Sequence, residues 1–115
     1  MIDVATIRSI IEQYEKFGWE LRRVFLTSEL QAKVESVVDR LFRGVEVKQS
    51  DLDAAWFTRT AKNGGTAWEL RALEESPFAL IEVVDPDITA DELELTLSAT
   101  EQQLRDRRHS ASNGN

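Results

Sequence analysis

The densest run of potentially chemical side chains is Asp85, Asp87, Thr89 and Asp91, which alternate as the ligands of a calcium loop do. A calcium loop needs glycine at its sixth position for a sharp turn and glutamate at its twelfth to close the coordination sphere. Here those positions hold Ala90 and Thr96. Pro86 and the Thr89–Glu92 spacing read instead as the entry to a helix. Two carboxylate pairs, Asp51/Asp53 and Glu74/Glu75, could divide acid and base roles if one member were buried and the other solvated. Neither has a histidine or tyrosine close by to complete a site. Glu74 and Glu75 also precede Ser76-Pro77, a turn where solvated charges are ordinary. Gly64-Gly65 lacks the lysine of a phosphate-binding loop and lies between strand-like segments rather than before a helix. The chain has no cysteine and a single histidine, His109, in a polar C-terminal stretch. Disulfides and thiol chemistry are excluded, and histidine catalysis and histidine-ligated metals are not expected. The reading therefore calls for no cofactor and no metal.

Charge points to partners rather than to catalysis. The net charge is −7, from 21 acids and 14 bases. Nine of the acids and none of the bases lie between Ala72 and Leu104. Asp85, Asp87, Asp91, Glu92 and Glu94 are the candidate acidic surface. Such a field repels phosphates, so neither nucleic acid nor an anionic membrane is an expected partner, whereas a basic protein is. Arg22, Arg23, Arg59 and Arg71 fall on strand-like segments with Glu20, Glu69 and Glu82, and read as a salt-bridge grid across a sheet. The first residues carry Asp3, Glu12 and Glu15 rather than the apolar run of a targeting signal, so the expected location is cytoplasmic.

The elements that must position these groups follow from periodicity. Asp3 caps a first helix with the stripe Val4, Ile7, Ile10, Ile11, Tyr14 and Phe17, closed by Gly18. Trp19 to Leu26 reads as a strand. Ser28 and Gln31 have capping-box spacing ahead of a second helix with Leu30, Val34, Val37, Val38, Leu41 and Phe42, closed by Gly44. Val45 to Asp53 reads as connector, with Val45 and Val47 able to form a short edge strand and Leu52 as an anchor. Residues 54–61 and 66–75 form a hairpin through Lys62-Asn63-Gly64-Gly65. A loop of three residues, with Gly64 left-handed, pairs Trp56 with Leu70 and keeps Trp56, Trp68, Leu70 and Ala72 on one face. After Ser76-Pro77 comes a strand in which Ala79, Ile81 and Val83 continue that face. Thr89 opens the last helix, with Arg105, Arg107 and Arg108 in its last turn. The four residues Trp19-Glu20-Leu21-Arg22 recur as Trp68-Glu69-Leu70-Arg71.

The predicted fold is α+β, a two-layer sandwich in the order α-β-α-β-β-β-α with a mainly antiparallel sheet of about four strands. Residues 1–109 form one domain and 110–115 a disordered polar tail. From Ser28 to Arg108 the element order resembles that of double-stranded RNA-binding domains, but the last helix lacks the lysines that such a function needs. A sheet roughly 19 Å wide has room for two helices on one face. The first two helices are expected there, over the face bearing Trp56, Trp68, Leu70, Ile81 and Val83. The last helix offers only the narrow seam Leu93, Leu97 and Leu104, and the other face keeps Phe57, Leu73, Phe78 and Leu80. Those seven residues are the interface candidates of an expected homodimer. The functional expectation is a non-catalytic protein-interaction module with an acidic surface over residues 72–104 for a protein partner. The alternative is a small-ligand binder or enzyme with a pocket between helices and sheet, lined by Trp19, Trp56 and Trp68.

Overall fold

A computed structural model describes residues 2–113 of the chain and the side chains of residues 2–108. The fold is α+β, built on one mixed sheet. Helix α1 spans Val4–Lys16, strand β1 Glu20–Leu26 and helix α2 Ser28–Val34. A 3-10 turn over Glu35–Val37 leads into α3, Val38–Leu41. Then come β2 Val47–Gln49, β3 Ala54–Thr60, β4 Thr66–Ala72, β5 Ala79–Val84 and α4 Ala90–Asn113. The sheet order is β2-β1-β3-β4-β5. Only β1 and β2 run parallel; the other pairs are antiparallel. The sheet thus has five strands rather than about four, because Val47–Gln49 completes an edge.

Local sequence explains most boundaries. The Asp3 carboxylate accepts the Thr6 N–H at 2.8 Å and so caps α1. At the other end Gly18 takes φ +86°. Its N–H donates to the Glu15 carbonyl, and that of Trp19 to the Tyr14 carbonyl. This is a Schellman closure, completed by the Trp19 ring meeting the Tyr14 ring edge-on at 6.0 Å. The second helical segment is capped by Thr27, not Ser28: the Thr27 hydroxyl accepts the Leu30 N–H. Its stripe breaks into α2, the 3-10 turn and α3 because Ser36 and the β-branched Val34, Val37 and Val38 propagate a helix poorly. At α4, Thr89 and Glu92 form the reciprocal box, each backbone N–H donating to the other's side chain at 3.1 Å.

The hairpin keeps the expected register, with Trp56 opposite Leu70, Thr58 opposite Trp68, and φ +84° at Gly64. The layers differ from expectation. One buried cluster joins α1, α2 and α3 to Leu21, Val24, Leu26, Ala55, Phe57 and Leu73. The other joins Leu97 and Leu104 of α4 to Trp56, Trp68, Leu70, Ala72 and Val84. Neighbouring β3 residues alternate between the clusters, so helices cover both sheet faces and the two-layer expectation is corrected. The first two helical segments lie on the Phe57 side and α4 on the tryptophan side. Thr100 helps α4 seat closely: it is buried, and its hydroxyl donates to the Thr96 carbonyl. Helix α4 also continues to Asn113, beyond the turn of Arg105, Arg107 and Arg108 expected to be its last, since no glycine or proline interrupts it before Gly114. Gly114 and Asn115 lie outside the described residues. No helix among those described is long and apolar enough to cross a membrane.

Candidate functional site

The two edges of the sheet are unlike. The β2 edge is three residues long and carries Lys48, a charge that discourages further pairing. The β5 edge, Ala79–Val84, is six residues long with no lysine or proline, and Glu82 is its one charge. Its hydrogen-bond phase follows from the Ala72 N–H donating to the Phe78 carbonyl at 3.0 Å. Leu80 opposite Leu70 and Glu82 opposite Trp68 continue that bonded set. The backbone groups of Ala79, Ile81 and Val83 therefore point outward, away from β4.

The side chains of these same three residues lie on the α1 face, opposite Arg71, Glu69 and Ala67. The expected phase of this strand is thereby corrected. Leu80 and Val84 join Trp56 and Trp68, while Ile81 and Val83 are 54% and 58% exposed. The tight Asn63-Gly64 loop fixes β4 against β3, but the longer Ser76-Pro77 connection leaves the phase of β5 to tertiary packing. Helix α1 stops short of this strand. At its margin Tyr14 stacks on Phe57 at 4.0 Å, and its hydroxyl donates to the Glu69 carboxylate. Burial, then the Glu69 hydrogen bond, pushes the Tyr14 phenol well above its ordinary range. Beyond Tyr14 the face is open, and Ile81 and Val83 lie on that open part.

Acids frame the strand. Glu75 is exposed before it, and Asp85 and Asp87 are exposed after it. Asp85, Asp87, Ile88, Glu92 and Thr96 line a shallow cleft of about 290 Å³. Of the five acidic candidates, Asp85, Asp87 and Asp91 remain exposed without an ion-pair partner among the described residues. Glu92 is spent on the α4 cap, and its hydrogen bonds from Thr89 hold its carboxyl below the usual range. Glu94 is bound to Arg23 at 2.6 Å, which lowers its carboxyl and raises the guanidinium.

The interface candidates are placed within the chain's own core. Phe57, Leu73, Leu97 and Leu104 are buried, and Phe78, Leu80 and Leu93 are part-buried against the tryptophan cluster. Within the chain, the α4 seam packs against the tryptophan cluster. The arginines of α4 also act within the chain. Arg105 binds Asp51 at 2.9 Å and Arg107 binds Glu74 at 3.2 Å. Arg107 also lies 3.6 Å over the Phe78 ring, and Arg108 donates to the Asp51 carbonyl.

The tryptophans do not share a pocket. Trp56 is fully buried, meets Trp68 edge-on at 5.8 Å and donates its indole N–H to Glu101 at 2.8 Å. Trp19 packs against the opposite cluster under Arg59. The paired carboxylates have structural roles: Asp51 holds Arg105, and Asp53 accepts the Thr27 N–H at 2.7 Å. A cleft of about 430 Å³ is lined by Arg22, Arg23, Val24, Glu46, Lys48 and Glu94. The expected grid forms only in part. Arg22 pairs with Glu20, but Arg71 donates to the carbonyls of Ala72 and Glu74 rather than to Glu82.

What sequence reasoning missed is the open β5 edge. Its signal was present in Phe78–Val84, a strand-like run without the lysine or proline that usually guards an edge. Comparison of the chain with family models, with curated proteins and with solved structures finds no match.

Proposed function

We propose that this protein is a non-catalytic interaction module that binds a basic protein segment on the side built from residues 72–104. One observation carries the reading: an exposed apolar strip, Ile81 and Val83, lies between the exposed acids Asp85 and Asp87, which have no ion-pair partner among the described residues, at one end and the exposed Glu75 at the other. Apolar contact supplies affinity there, and the acids select charge and speed encounter. The α4 surface extends the acidic field through Asp91.

The test uses an amidated peptide of about ten residues that alternates lysine with valine, a length typical of a strand. Its binding is followed by fluorescence anisotropy. The lysine peptide should bind, and binding should weaken as salt rises toward physiological strength, where screening acts beyond about 8 Å. Replacing both Asp85 and Asp87 with lysine should weaken it several-fold, and a peptide with glutamate in place of lysine should not bind. Failure of the lysine peptide to bind at low salt, or equal binding of both peptides, overturns the proposal.

A further inference from the structure

We infer that the partner segment binds as a sixth strand, pairing antiparallel with Ala79–Val84 along the open β5 edge. This rests on the function proposed above and specifies its mode. The β5 edge presents the outward N–H and C=O groups of Ala79, Ile81 and Val83, whose side chains form the exposed apolar strip. Backbone and side-chain recognition therefore fall on the same three residues. An extended segment satisfies both at once: its main chain bonds to theirs, and its alternate side chains lie against Ile81 and Val83. Antiparallel pairing continues the β3-β4-β5 meander and gives the more stable ladder.

Charge identifies the occupant as a basic segment rather than a second copy. Two β5 strands related by a two-fold axis must pair odd residues with odd residues to use their outward groups. Centred on Glu82, the pairing sets two carboxylates face to face. Centred on Leu80, it brings in Pro77, which has no N–H to donate. Centred on Ile81, it sets Asp87 of each copy opposite Glu75 of the other. Each of these registers opposes like charges or loses a donor; one centred on Ala79 again brings in Pro77, and one centred on Val83 overlaps only residues 82–84 of the two strands. A segment with bases at both ends, apolar residues opposite Ile81 and Val83, and a base opposite Glu82 does neither.

Two measurements test the mode separately from the function. The first is amide hydrogen exchange with and without the lysine–valine peptide. Binding should slow exchange at Ala79, Ile81 and Val83 by tenfold or more, while Leu80 and Glu82, already bonded to β4, change little. The second is Val83→Pro, which removes an outward donor but no β4 hydrogen bond, so the fold tolerates it. This variant should keep its far-ultraviolet spectrum and lose about tenfold in affinity. Val83→Thr, which keeps the donor and the branched shape, should lose less. Salt-sensitive peptide binding without protection at these three amides would overturn strand addition and leave the acidic-surface function standing. Protection that appears without peptide and grows with protein concentration would assign the edge to a second copy and overturn the inference. Absence of peptide binding altogether would remove the function and this mode together.

Discussion

Single residues set the limits of this fold where backbone meets backbone. Gly64 adopts φ +84°, a conformation that costs an alanine about 1 kcal/mol. Gly65 is constrained differently: a methyl group there would run into the Val84 carbonyl. Asn63 contributes only a hydrogen bond, its side-chain oxygen accepting the Gly65 N–H at 2.8 Å. Gly65→Ala should therefore destabilise most, because β5 must move. Gly64→Ala should follow, and Asn63→Ala should cost about 1 kcal/mol or less. Denaturant midpoints of the three variants give the order, and an undisturbed Gly65→Ala protein would show that β5 does not approach so closely. The Gly64 conformation is legible in sequence, since only an odd loop keeps the hairpin's apolar residues on one face. The Gly65 constraint is not, because it comes from a strand that arrives later in the chain. Tyr14 carries a second residue-scale prediction. It is the one tyrosine, so its ionisation can be followed alone by absorbance. Because its folded pKa is raised, the stability linked to it is fully present below about pH 10, the ordinary phenol value, and is lost as pH rises beyond that. The folded protein should titrate above the unfolded one, and Glu69→Gln should bring the two closer.

At the scale of elements, α4 is the part whose position changes the reading of the molecule. Leu97 and Leu104 are 1% exposed and lie against Trp56, Trp68 and Leu70. Leu97→Ala should cost about 2–5 kcal/mol. Leu97→Asp would bury an unpaired charge and should unfold the chain or release α4, with red-shifted tryptophan emission. A folded Leu97→Asp protein with unchanged emission would mean that α4 packs elsewhere. The sequence reveals the helix, its capping box and its seam, but not what the seam covers. That choice depends on which sheet face α1 and α2 occupy. The β1 bulge bears on it: Leu21 opposes Phe57 while Arg23 opposes Trp56, so Arg22 is an extra residue. Leu21 and Arg23 thereby come to opposite faces although they are two residues apart. Arg23 reaches α4, where it binds Glu94 and lies 5.5 Å from the Trp68 ring centre. A period-two reading of Glu20–Leu26 contains no sign of the extra residue. The same slip separates the two Trp-Glu-Leu-Arg stretches, placing Leu21 against α1 and Leu70 against α4. Of the candidate site, the acids around β5 were legible from composition, whereas the open edge required the strand order.

For the whole molecule, the acidic excess and the fastening of α4 respond to acid in opposite directions. Protonating carboxylates relieves the repulsion of a chain at −7, which favours folding. It also removes the partners of the arginines that hold α4 in place. Asp51 is held below the usual carboxylate range by the hydrogen bond from Arg105, and Glu94 by that from Arg23. Groups with depressed folded pKa values stabilise fully above their unfolded values, near pH 4, and lose that contribution as pH falls through the folded ones. Each pair is solvent-exposed and contributes about 1 kcal/mol or less. The repulsion is spread over a surface and screened by salt, so at physiological ionic strength it changes little between pH 7 and 5. Stability should thus be nearly level over that range and fall below about pH 4 as both pairs open. The double variant Asp51→Asn with Glu94→Gln should start slightly less stable at pH 7 and show a shallower fall in acid. Denaturant midpoints measured from pH 7 to 3 at fixed salt decide the matter. A double variant that declines as steeply as the parent would show that the two ion pairs do not fasten α4. A parent whose stability climbs throughout would show that relief of repulsion outweighs their loss.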